Sequence, residues 1–146
     1  MKVNENIENP SALLPLALRL QRGELLAAEC PSRSVLKHVT SQWGVLVLIV
    51  LLEGTARFSQ IRKKVNGVSE KMLAQTLQSL ESDGFLNRQS FPVVPPHVEY
   101  SLTPMGEEVA AHINTLADWI ESNLPRIMDA RINTDFNPIK SVREII

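Results

Sequence analysis

From Val45 to Leu52 the chain reads VLVLIVLL, with Trp43-Gly44 before it and Glu53-Gly54 after it. A segment this apolar offers water no polar face, so other elements must cover it on every side. It falls far short of the about 20 residues that a membrane span requires. The expected solution is a central buried helix from Trp43 to Leu52, around which the rest of the chain packs. With 146 residues, 44% of them hydrophobic and 21% charged, the chain can build one domain around such a centre and keep apolar surface for an interface.

The flanking segments supply the cover. Residues 12–28 form an apolar helix candidate started or kinked by Pro15. Ser32 to Thr40 reads as a helix with Val35, Leu36 and Val39 on one side, and Phe58 to Val65 as a short helix that Ser59 helps to cap. Phe58, Ile61 and Val65 face inward there, leaving Arg62, Lys63 and Lys64 outside. Phe85 to Phe91 and Val98 to Leu102 alternate as strands around the tip Pro92-Val93-Val94-Pro95-Pro96-His97, the pattern of a hairpin. Thr103-Pro104 is a helix start, a cap followed by proline at the first helical position. From it Val109, Ile113, Leu116, Ile120, Leu124 and Ile127 recur at spacings of four and three, with Trp119 beside them. The expected fold class is mainly α with a small β-hairpin. Three helices followed by a hairpin is the order of a winged helix-turn-helix.

Residues 67–86, GVSEKMLAQTLQSLESDGFL, hold the candidate reading helix. Ser69 is a good N-cap, and Val68 and Leu73 occupy the positions of a hydrophobic staple. Glu70 in the first turn suits the helix dipole, and Gly84 after Asp83 can take the positive φ that closes a helix. Met72, Leu73, Leu77 and Leu80 make the expected buried stripe. Ser69, Lys71, Gln75, Gln78 and Ser82 are left outside, and these side chains suit base edges: Gln pairs with adenine, Lys with guanine, Ser with base or phosphate. A polar face of this kind belongs equally to any solvated amphipathic helix. The neighbouring Arg62-Lys63-Lys64 and the following hairpin move the balance toward DNA, because the helix before a reading helix commonly abuts the phosphate backbone.

Charge is distributed to match. The whole chain carries −1, but from Cys30 to Thr103 eight Lys/Arg face five Asp/Glu, while the flanking stretches are net acidic. Only the middle segment is basic, so an anion-binding surface is expected there, with Arg88 and His97 on the hairpin adding phosphate contacts. No Gly-rich phosphate loop, nucleophile elbow or paired-carboxylate site is present, and His38, His97 and His112 have no ligand spacing with Cys30. Neither an enzyme, a cofactor nor a metal is expected. One Cys precludes an intramolecular disulfide, and the apolar stretch 12–18 is a poor signal peptide, being preceded by Glu5 and Glu8 and broken by Pro15. A cytoplasmic protein without membrane attachment is expected.

The segment from Cys30 to Ala117 resembles the HxlR-type family of bacterial winged helix-turn-helix regulators. The resemblance lies in Cys30-Pro31, the Trp43 helix, Arg57-Phe58-Ser59-Gln60-Ile61-Arg62, Ser69-Glu70-Lys71-Met72-Leu73, Leu80-Glu81-Ser82-Asp83-Gly84 and Pro95-Pro96-His97-Val98-Glu99-Tyr100-Ser101-Leu102-Thr103. It implies a homodimeric regulator of double-stranded DNA, expected to be a repressor, whose outer helices form the dimer. The apolar stripe Val109, Ile113, Leu116, Trp119, Ile120, Leu124 and Ile127 suits that role. The chain departs from the family at Thr40-Ser41-Gln42, where many members carry Gly-Gly-Lys, and at His97, where the wing often has Arg.

Many members sense electrophiles or oxidants through an N-terminal Cys, and Cys30 matches that position. With Pro31 at a first helical position and Arg33 nearby, its sulfur would lie in a setting that favours thiolates. A small packed hydrophobe is the alternative for Cys30. The expected layout is an N-terminal arm and dimerisation helix at 1–29, the DNA-binding domain at 30–103, a C-terminal dimerisation helix at 104–131 and a tail at 132–146. The competing functional reading is a winged-helix module that binds another protein through the same face.

Overall fold

The computed structural model describes residues 25–135. The expected helix at 12–28 therefore lies mostly outside the described residues, as do positions 136–146. Helix α1 (Pro31–Thr40) is followed by α2 (Gln42–Leu51), and the two are bent by 69° at Ser41. Ser41 makes the corner: its hydroxyl donates to the His38 carbonyl and accepts from the Gly44 amide, so it ends one helix and caps the next. Strand β1 (Ala56–Arg57), α3 (Phe58–Lys64), α4 (Glu70–Ser82), strands β2 (Leu86–Phe91) and β3 (His97–Leu102), and the long α5 (Pro104–Asp135) complete the order.

The apolar segment of α2 does what its composition requires. Val47, Leu48 and Leu51 are buried against Ile61 and Val65 of the α3 region, Leu73, Leu77 and Leu80 of α4, Leu86 and Tyr100 of the sheet, and Ala110 and Ile113 of α5. Each fully buried Leu or Ile in this cluster contributes about 1.5–3 kcal/mol relative to exposure. The sheet is three-stranded and antiparallel, in the order β1-β3-β2. The hairpin pairs Leu86 with Leu102 at its base and Phe91 with His97 at its tip. On the other side of β3, Ala56 pairs with Tyr100 and Arg57 with Glu99. This arrangement is a winged helix.

Two junctions fix the position of α4. At its end Gly84, at φ +87°, donates to the Glu81 carbonyl while Phe85 donates to that of Leu80, closing α4 with the paired bonds of a Schellman motif. Thr103, the residue before α5, donates from Oγ1 to the Gly84 carbonyl and accepts from the Gly106 amide. The chain comes so close here that a Cβ on Gly106 would lie 2.0 Å from the Phe85 carbonyl oxygen. The start of α5 and the end of α4 are therefore locked together.

Several expectations are corrected. The two-residue β1 was not anticipated. Ser59 lies inside α3, whose N-cap is Arg57; the Arg57 amide donates to Gln60 Oε1 at 2.8 Å. Met72, expected in the buried stripe, is exposed, and on α1 only Val39 of Val35, Leu36 and Val39 is buried. In α4 the stripe narrows to Leu73, Leu77 and Leu80, since Met72 projects at the edge beside it. Finally, α5 runs to Asp135, into the segment expected as a tail from residue 132.

Candidate nucleic-acid interface

The staple and cap of α4 form as its sequence implies. Val68 and Leu73 are both buried, and Ser69 Oγ accepts from the Met72 amide at 3.0 Å. With one side of α4 turned into the core, Ser69, Lys71, Gln75 and Gln78 are exposed. Lys71 has no ion-pair partner among the described residues. The hydroxyl of Ser69 thus has its acceptor function committed to the helix, leaving its proton for an acceptor beyond it.

The basic triplet is less available than its sequence suggests. Arg62 Nη1 lies 2.8 Å from Glu70 Oε2, and its Nε reaches toward the Val68 carbonyl at 3.5 Å. Lys64 donates to the carboxylate of Glu53. Both pairs are at the surface, where such contacts are weak and are exchanged readily for a stronger anion. Lys63 is exposed without such a partner among the described residues. The Arg62–Glu70 pair also joins α3 to the first turn of α4, so it orients α4 against its neighbour.

On the wing, Arg88 is exposed in the middle of β2. His97 is held differently: its ring stacks on Phe91 with centroids 4.6 Å apart, and Nε2 lies 3.4 Å from Glu99 Oε2. It is half-buried as a result, and a phosphate would have to compete with Glu99 for it. The wing tip is apolar, with Val94 fully projecting and Val93 partly so.

Cys30 is the N-cap residue of α1, with Pro31 at the first position, as expected. Its sulfur is half-buried and 2.8 Å from Ser32 Oγ. Arg33 does not reach it; the guanidinium donates to the Leu26 carbonyl at 3.1 Å and ties α1 to the preceding turn. No group of three or more potential metal ligands is assembled among the described residues.

The stripe on α5 divides in two. Ile113, expected at a dimer interface, is 7% exposed and belongs to the chain's own core, with Val109 packed against that core. Beyond it Leu116, Trp119, Ile120 and Leu124 are each more than 40% exposed. Ile127 is half-buried, and the exposed series continues through Met128 and Ile132, which the expected boundary missed. Their spacing of four from Leu124 was the available signal. Arg126 lies 6.0 Å from the centre of the Trp119 ring, the one described cation close to this apolar surface through a ring face.

A contact that the sequence does not reveal links α1 to α4. His38 Nδ1 lies 2.6 Å from Asp83 Oδ2, the C-cap of α4, and both side chains are partly buried. The two residues are far apart in sequence, so only the packing of α1 on α4 reveals the pair.

Comparison with known proteins agrees with this geometry. Residues 38–128 match the HxlR-like helix-turn-helix family. The HTH-type transcriptional regulator YtfH of Escherichia coli K12 is 65% identical over 116 residues, covering 80% of this chain and 92% of the relative. A structure of the transcriptional regulator YtfH from Salmonella typhimurium superposes with a TM-score of 0.72 at 67% identity, over 73% of this chain and 96% of that one. The redox regulator HypR in its oxidized form superposes at 0.59 and 32% identity, over 64% of this chain and 97% of that chain.

Proposed function

The chain belongs to the HxlR-like helix-turn-helix family, and from that premise we propose that it works as a homodimeric, sequence-specific DNA-binding repressor. It is a helix-turn-helix transcriptional regulator; the proposal concerns how it reads, pairs and responds. The observation that carries it is the exposed edge of α4, where Lys71 and Gln75 stand beside the Ser69 cap with no carboxylate holding Lys71 among the described residues. Lys71 and Gln75 donate to purine edges in the major groove, Ser69 to a base or phosphate at the helix entrance. Lys63 and Arg88 take phosphates on either side, joined by Arg62 and Lys64 once Glu70 and Glu53 release them.

The exposed half of α5 supports the dimer, because Leu116, Trp119, Ile120 and Leu124 form an apolar surface that no described residue of the chain covers. A second copy, related by a two-fold axis, covers it with the same residues. Such a dimer sits on a pseudo-palindromic operator and represses by occupying the duplex.

The test of reading is the double variant Lys71→Ala/Gln75→Ala, assayed on duplexes that the wild-type protein enriches from a random pool. Preference for those duplexes is lost while the dimer persists. Retention of wild-type preference would exclude α4 as the reader. A flat salt titration of the wild type would instead favour a protein partner, since each neutralised phosphate contributes about 0.9 log unit of affinity per log unit of salt.

For Cys30, support comes from the half-buried sulfur at the α1 N-cap and from the likeness to HypR, a redox regulator. With one Cys per chain, the modified form is an adduct or a disulfide between chains. Cys30→Ser should leave DNA binding insensitive to diamide or a quinone. Release from DNA that persists in this variant removes Cys30 from the response.

A further inference from the structure

Between α1 and α4 runs an open groove of about 370 Å³, lined by Lys37, His38, Ser41, Met72, Gln75, Thr76 and Ser79. Among the described residues no carboxylate lines it. The nearby Asp83 is already held by His38 at 2.6 Å. Lys37 is exposed and has no ion-pair partner among the described residues, unlike Arg62 and Lys64 on the other helix beside α4. The groove also contains Gln75, a residue assigned above to base contact, so whatever enters the groove is adjacent to the reading edge.

We propose that this groove seats the sugar-phosphate backbone beside the major groove read by α4, with Lys37 neutralising a phosphate there. The inference rests on the reading of α4 as the DNA-facing helix and adds to it a contact from outside the helix-turn-helix. A duplex that takes α4 into its major groove must carry a strand past each flank of that helix. On the α3 flank, two of three cations are engaged by Glu70 and Glu53. On the α1 flank, Lys37 stands over a cleft that has hydroxyl and amide groups along it and no negative charge. Its ammonium is a mobile point charge on a flexible stem, able to neutralise a phosphate, and its place on α1 sets it beside the reading edge rather than on it. Lys37 therefore fixes the position of the duplex without reading it, and His38, tied to the α4 C-cap, holds the segment that carries it.

The experiment uses the full chain and a duplex enriched by it from a random-sequence pool, with a scrambled duplex of equal length. Affinity for both is measured by fluorescence anisotropy across a KCl series for the wild type, Lys37→Gln, Lys37→Arg and Lys71→Ala/Gln75→Ala. Lys37→Gln should weaken both duplexes alike, keep the preference ratio, and lower the slope of log affinity against log salt by about 0.9. Lys37→Arg should keep the wild-type slope. The proposal is overturned if Lys37→Gln keeps the wild-type slope, or if Lys37→Arg loses affinity as fully as Lys37→Gln does. A steep wild-type slope and loss of preference in Lys71→Ala/Gln75→Ala, with Lys37→Gln unchanged, overturns the groove contact alone. A pool that yields no enriched duplex overturns both the contact and the reading beneath it.

Discussion

Ser69 carries two demands that can be separated by substitution. Its Oγ accepts from the Met72 amide and so satisfies one of the N–H groups left open at the start of α4. The same hydroxyl faces the proposed DNA with its proton. Ser69→Ala removes the cap and should cost about 0.5–2 kcal/mol, read as a lower urea midpoint at fixed protein concentration. Ser69→Asp preserves the cap, since Asp serves as well as Ser there, but sets a carboxylate against the duplex. It should therefore unfold near the wild-type midpoint while losing operator affinity. Wild-type DNA binding by the Asp variant would place Ser69 away from the DNA. The cap was legible in the sequence because it is a relation among residues within one turn. The engagement of Arg62 by Glu70 and of Lys64 by Glu53 was not, because each joins residues of different elements brought together only by the packed chain. The packing of His97 was hidden for the same reason: its stacking on Phe91 is set by the β2–β3 register.

Among the elements, α5 shows the limit of periodicity most clearly. Spacings of four and three identify one apolar face, yet they are blind to whether that face meets the same chain or another. Ile113 meets its own core, while Leu116 and Ile120, one and two turns on, are left half-exposed by the described residues. The division makes opposite predictions for neighbouring positions. Ile113→Ala should cost about 2–5 kcal/mol of stability, as loss of a buried aliphatic does. Leu116→Glu/Ile120→Glu alters residues already half in water and should leave the fold of the chain intact by circular dichroism. It should, however, convert the dimer to monomers in sedimentation equilibrium, because it puts like charges face to face in a dehydrated interface. A dimer that survives both glutamates would assign the pairing surface elsewhere. The strand β1 escaped notice because two residues have no period; only pairing of Ala56 and Arg57 with Tyr100 and Glu99 defines it. The α2 segment was legible for the converse reason, since eight apolar residues in succession permit almost no other placement.

The whole molecule is a positively charged middle between acidic ends, and the proposed pairing through α5 would bring two such middles into one assembly. Two reading helices related by a two-fold axis address half-sites about one helical turn apart, 34–36 Å. Spacing then becomes the property that distinguishes a rigid dimer from two independent heads. Inserting 5 bp between the half-sites turns the second by about half a turn and moves it to the opposite side of the duplex. The wild type should then bind as though to one half-site. Because the second contact is made at the effective concentration set by the first, the loss should be on the order of 10²–10⁴-fold. Leu116→Glu/Ile120→Glu supplies the complementary measurement. If pairing through α5 is what couples the heads, this variant binds the original and the extended operator equally, at the affinity the wild type shows for the extended one. Spacing sensitivity that persists in the variant would mean that the heads are coupled through another surface. Indifference to spacing in the wild type would mean that each chain reads DNA alone.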